Sequence, residues 1–144
     1  MSAAQKKIIT IIAKINAPVK EVWNQWTDPT QIVHWNNASE DWHTTYAEND
    51  LKVGGKFLSR MEAKDGSFGF DFSGEYTKVE HHSQIDYELA DGRKVQISFV
   101  SRGNETFVTE NFEAEKENSL EIQKAGWQSI LDNFKKHVEK KMDV

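Results

Sequence analysis

The chain has 144 residues, a formal net charge of −5 and no cysteine, which excludes disulfides, thiolate metal sites and thiol catalysis. Its basic residues are scattered except at the C-terminus, so it lacks the cationic surface that a nucleic acid or an anionic membrane rewards. No charged leader runs into an apolar segment, and no stretch approaches the ~20 apolar residues that span a bilayer, so a cytoplasmic protein with no membrane insertion is expected.

The length fits one domain over 1–144, ordered from about 8 to 141, with the polar residues Ser2 to Lys7 frayed. Ile8 to Asn16 alternates as a β-branched strand with two fairly apolar sides. Ala17-Pro18 ends it, and Pro18 suits the first turn of a helix carrying Val19, Val22, Trp23 and Trp26. Asp28-Pro29 stops that helix, a second short one runs from Thr30 to Trp35, and the polar run Asn36 to Asp41 is a loop. Strands follow at Trp42 to Ala47 and, after a Gly54-Gly55 turn, at Lys56 to Ala63. Asp65-Gly66 then signals a hairpin into a strand with Phe68, Phe70, Phe72, Gly74 and Tyr76 on one face, which alternation marks as a buried aromatic face. The glycines of that strand mark places for a sharp bend. His81, His82 and Ser83 turn the chain. Gln84 to Leu89, a second hairpin at Asp91-Gly92, Val95 to Phe99, a turn at Gly103-Asn104 and Thr106 to Ala114 complete the strands.

The last element, Asn118 to Lys141, carries Leu120, Trp127, Ile130, Leu131, Phe134 and Val138 at helical spacing. Asn118 is placed to cap it, with Glu121 at the reciprocal position and lysines at its end. At ~1.5 Å per residue such a helix spans about 36 Å, long enough to cover a sheet. The order of elements therefore reads as α+β: one strand, two short helices, six strands in meander, and one helix over the face they leave bare.

This arrangement, with Trp26-Thr27-Asp28-Pro29, Gly54-Gly55-Lys56-Phe57, Asp91-Gly92-Arg93 and Gln123-Lys124-Ala125-Gly126-Trp127, resembles the homologues of the heat-shock chaperone ATPase activator, within the START/SRPBCC (polyketide cyclase-like, Bet v-like) superfamily. The resemblance covers Ile8 to Glu139. It implies a helix-grip (START-like) fold, in which a curved antiparallel seven-stranded sheet wraps the last helix and leaves a cavity. The superfamily binds lipids, sterols, polyketides and hormones there, and a minority of members are cyclase-like enzymes. In the eukaryotic activators a separate N-terminal domain engages the chaperone, and 144 residues are expected to leave no room for one.

Phe57, Met61, Phe70, Phe72 and Tyr76, with Tyr87, Phe99, Trp127, Ile130 and Phe134, are the candidate cavity-lining, ligand-binding residues; a solid core would have the same composition. Tyr76, Tyr87 or Arg60 would orient a ligand, although alternation sets Arg60 opposite Phe57 and Met61. Gly126 costs roughly 1 kcal/mol in a helix, so a packing reason is expected, namely close approach of a strand or of the second short helix. The alternative is open space beside Trp127. Asp71 and Glu110 are carboxylates inside strand patterns, with Asp71 expected in solvent and Arg60 and Arg93 as cross-strand partners.

No metal site is expected from His34, His43, His81, His82 and His137: none recurs at i, i+4, and adjacent side chains at His81-His82 should diverge. No cofactor is expected either, since Gly54-Gly55 lacks the spacing and following helix of a phosphate loop. No catalytic acid or base pair stands out; two polar groups facing each other in an enclosed pocket would change that. The leading reading is non-enzymatic binding of an apolar or aromatic small molecule. The alternative is a protein-interaction or stress-response module with a chaperone or other protein as partner, using loops such as Asn36 to Asp41.

Overall fold

The computed structural model describes residues 7–142. Ser2 to Lys6, expected to be frayed, lie outside them, whereas the Lys7 carbonyl accepts a hydrogen bond from the Ala114 amide at 2.8 Å. Seven strands, β1 (Ile8–Ile15), β2 (Trp42–Asn49), β3 (Lys56–Ala63), β4 (Gly69–Glu80), β5 (Gln84–Leu89), β6 (Lys94–Arg102) and β7 (Glu105–Glu113), form one antiparallel sheet. Its order is β1-β7-β6-β5-β4-β3-β2, so every neighbour but β1–β7 is a hairpin. Helices α1 (Val19–Thr27) and α2 (Pro29–Trp35) follow β1, and α3 (Leu120–Met142) closes the chain. The architecture is the expected α+β helix grip.

Local chemistry explains the boundaries. The Asp28 carboxylate accepts from the Thr30 amide at 2.9 Å and caps α2, with Pro29 in the first turn where its missing N–H costs nothing. The cap of α3 is Ser119 and not Asn118: the Ser119 Oγ accepts from the Ile122 amide at 3.2 Å. Asn118 sits one residue too early, and its carbonyl instead accepts from the Gln123 side chain at 2.8 Å.

The core is concentrated at one end of the inner face. Ile9, Ile11 and Ile15 from β1, Val108 and Phe112 from β7, and Val95, Ile97 and Phe99 from β6 are all buried, beneath Leu131, Phe134 and Val138 of α3. Trp23 and Trp35 complete this half; the Trp35 indole N–H donates to the Gln25 carbonyl at 3.0 Å, which satisfies the one polar atom it buries. Along the free edge of β1, α3 supplies partners for exposed backbone. Gln128 donates to the Ile12 carbonyl at 3.2 Å, Lys135 donates to the Lys14 carbonyl at 2.6 Å, and the Asn16 amide donates to Glu139 at 2.9 Å. An edge strand is thereby covered.

One expectation, of a wholly buried aromatic face, is corrected at β4. The ladder irregularities of β4 and β2 fall at bulges, between Tyr76 and Lys78 and between Thr44 and Tyr46. Gly74 has a packing reason: a Cβ there would meet the Glu88 carbonyl oxygen at 2.7 Å and the Phe57 ring at 2.8 Å. The aromatic face is only partly buried. Tyr76 is buried, whereas Phe68 and Phe70 are 62% and 40% exposed, because they form the outer end of the β3–β4 hairpin, where they cluster with Trp42 rather than with α3.

Candidate functional site

A cavity of about 710 Å³ lies between α3 and the β3–β5 half of the sheet. Strand alternation supplies one wall, with Phe57, Ser59 and Met61 from β3, Phe70, Phe72 and Tyr76 from β4, and Ile85 and Tyr87 from β5. Helix α3 supplies the other, with Ile122, Gln123, Gly126, Trp127 and Ile130, while Trp26, Ile32 and Trp35 come from α1 and α2. The volume is within the range of small-molecule sites, and the walls are mostly apolar, with many aromatic rings among them.

Eight of the ten expected residues, all but Phe99 and Phe134, line this space. Those two sit in the solid half, edge-on to Trp26 at 5.9 and 4.8 Å between centroids. Alternation puts Phe99 on the correct face of the sheet but does not say that α1 covers it. Arg60 is also outside, pairing with Glu62 at 3.1 Å and Asp71 at 3.3 Å on the opposite face, where Asp71 is exposed.

Gly126 reverses the expected reading. Nothing lies within 4 Å of a Cβ built on it, so no strand or helix presses there, and the space opposite is the cavity itself. Beside it the Trp127 indole stacks on Phe112 and meets Phe72 edge-on at 6.1 Å.

The polar groups are few. Tyr76 donates to the Asn49 side-chain oxygen at 2.5 Å, and Asn49 in turn donates to the Thr27 carbonyl at 2.7 Å, tying the cavity wall to the end of α1. Burial pushes the Tyr76 phenol well above its usual range. Gln123 folds the segment before α3 over the cavity, accepting from the Glu115 amide at 2.8 Å and donating to the Glu115 carbonyl at 3.1 Å.

Glu110 is a cavity residue that the sequence pattern alone leaves unplaced. It sits in mid-β7, paired with Ile11 and Ile97, on the same face as Val108 and Phe112, and is only 4% exposed. The alternation Thr106, Val108, Glu110, Phe112 carries the signal. Arg93 is not its ion-pair partner, since the guanidinium binds Asp91 at 2.8 Å. Loss of solvation raises the Glu110 carboxyl to about 8, and it makes no hydrogen bond or ion pair among the described residues. Burial, and Glu110 second, push the Tyr87 phenol up as well.

Four of the five histidines form two stacked pairs. His81 and His82 do not diverge: their rings stack at 3.7 Å beside Trp23, because His82 takes a left-handed backbone, φ 63°. His34 and His137 stack at 6.0 Å. Among the described residues no group of three or more His, Cys, Asp or Glu is placed to hold a metal, and no helix is long and apolar enough to cross a membrane.

A family model described as "Activator of Hsp90 ATPase homolog 1-like protein" matches residues 16–139. A solution structure of the AHSA1-like protein from Aeromonas hydrophila is 48% identical, covers 93% of each chain and has a TM-score of 0.88. One from Cytophaga hutchinsonii is 43% identical over 94% of each chain, with a TM-score of 0.80. A crystal structure from Nitrosomonas europaea, 17% identical over 93% of this chain and 95% of its own, shares the fold at a TM-score of 0.81. Among curated proteins none matches the chain significantly. With the match extending over most of its length, and with a fold that supports a ligand-binding or activator-like domain, the chain belongs to the AHSA1-like family.

Proposed function

We propose that the protein is a non-enzymatic binding module for an apolar or aromatic small molecule, held between α3 and the β3–β5 half of the sheet. The observation that carries this reading is Gly126: a helix that gives up a side chain where nothing presses on it keeps space open at a cost to its own stability. Burial of apolar surface, at roughly 25 cal/mol per Å², would supply most of the affinity. The cytoplasm as its setting belongs to the same proposal. Titration of a panel of neutral aromatic compounds by chemical-shift mapping tests it. Shifts at Phe57, Phe72, Tyr87 and Trp127, abolished by Gly126→Leu in a folded protein, are expected. No shift at any of the four with any compound counts against the module.

Glu110 favours a second reading, acid–base catalysis on the bound molecule, because a carboxyl raised to about 8 is poised to exchange a proton near neutral pH. Turnover of a bound compound, lost in Glu110→Gln while its binding survives, would establish the enzyme.

The family description supports a third, docking to a chaperone or another protein. The cluster that exposed Phe68 and Phe70 form with half-buried Trp42 is the surface that favours it. Partner binding that survives Gly126→Leu but falls in Phe68→Ser would separate this role from the cavity.

A further inference from the structure

We infer that the cavity selects apolar amines, with the ligand's ammonium seated against the Glu110 carboxylate among aromatic walls. The inference rests on the ligand-binding reading of the cavity and adds the charge of the ligand to it.

Glu110 and Tyr87 are 4% and 8% exposed, both line the cavity, and neither side chain makes a hydrogen bond among the described residues. No buried side-chain polar atom there is enclosed without a partner, so both groups open onto cavity space. An unpartnered carboxyl facing an apolar hollow is costly to the fold alone and useful once a donor enters. The sign of the donor follows from the lining. Carboxylates reach it from three elements, Glu48 on β2, Glu110 on β7, and Glu115 and Glu117 before α3, against the single guanidinium of Arg93, which Asp91 already holds. The other titratable groups of the lining are the phenols Tyr76, whose hydroxyl is held by Asn49, and Tyr87, which is coupled to Glu110; α1, α2 and α3 contribute none. A ligand carboxylate would have to enter among the Glu48, Glu115 and Glu117 carboxylates, whereas an ammonium finds aromatic faces, the Tyr87 hydroxyl as acceptor and, once Glu110 gives up its proton, a counter-charge.

In the empty cavity Glu110 keeps its proton at neutral pH, for want of solvent and of a counter-ion. An entering ammonium keeps its own proton and supplies the counter-ion, so the carboxyl releases its proton to solvent. Binding at pH 7 should therefore release a proton. Affinity should rise as pH approaches 8 and fall again where the amine loses its charge, near pH 10 by analogy with lysine.

The test compares three matched probes, naphthalene-ethylamine, naphthalene-ethanol and naphthalene-acetate, by isothermal calorimetry in buffers of different ionisation enthalpy, on the wild type and on Glu110→Gln. The amine is expected to bind wild type about tenfold or more tighter than the alcohol, with the acetate weakest and with proton release at pH 7. Glu110→Gln should lose both the preference and the proton release, while its affinity for the alcohol stays within a few-fold. If Glu110→Gln does not fold, Glu110→Asp should keep the preference at reduced size. Equal binding of amine and alcohol to wild type, tightest binding of the acetate, or an amine preference that persists in Glu110→Gln would overturn the inference and leave the cavity reading standing. If none of the three binds, both fall.

Discussion

The Trp127 indole lies parallel to the Phe112 ring, with 3.9 Å between centroids and 9° between planes. Phe112 is wholly buried near the end of β7, so this stack seats α3 on the sheet at the boundary between core and cavity. Trp127→Ala should cost about 3 kcal/mol, the low end for a large aromatic, because part of its surface already faces open space. Trp127→Phe should recover most of it. Denaturant midpoints measure both, and an unchanged midpoint in the alanine variant would show that the stack carries no stability.

Gly126→Ala should stabilise the protein by about 0.5–1 kcal/mol, since alanine is the better helix former and its methyl meets nothing. Thermal unfolding measures this, and destabilisation would mean that the space opposite Gly126 is filled in solution. Gly74→Leu is a different case: the carbonyl of Glu88 stands in its way, so it should disturb the sheet and not merely fill the cavity.

Glu110 should make stability fall as pH rises from about 4.5 to about 8. Its folded value is raised, so the native state holds a proton that the unfolded chain has lost, and stability present below the unfolded value is lost as pH climbs through the folded one. The slope from this group approaches about 1.4 kcal/mol per pH unit. Urea midpoints at pH 5, 6.5 and 8 should decline for wild type relative to Glu110→Gln; parallel curves would place the carboxyl in solvent.

Ser119→Ala should cost about 1 kcal/mol through the first turn of α3, whereas Asn118→Ala should change stability by much less, its side chain bonding half-buried Glu115 and capping no amide of the helix. Equal losses would put the cap where sequence spacing alone had suggested.

The strands, the hairpin turns and α3 were legible because their signals are local: alternation, Asp-Gly pairs and helical spacing each report on a few neighbouring residues. Phe68 and Phe70 were not, since alternation tells which face a side chain takes and not whether another element reaches far enough to cover it. Gly126 failed for the same reason; what stands opposite a helical glycine is a long-range fact. Glu110 could have been found. The same parity that sets Asp71 outside sets Glu110 inside with Val108 and Phe112, and the two carboxylates differ only in strand register.

The crowding of the packed side chains at one end of the sheet divides the molecule by tolerance to change. Phe112, Phe134, Leu131 and their neighbours interlock, so a substitution there is felt by every contact around it. Met61, Phe72 and Ile130 line the cavity, where a changed side chain has open space to enter. Substitutions among them should combine nearly independently of those in the packed end. Relatives of this chain can thus diverge in what they hold while inheriting one unaltered frame.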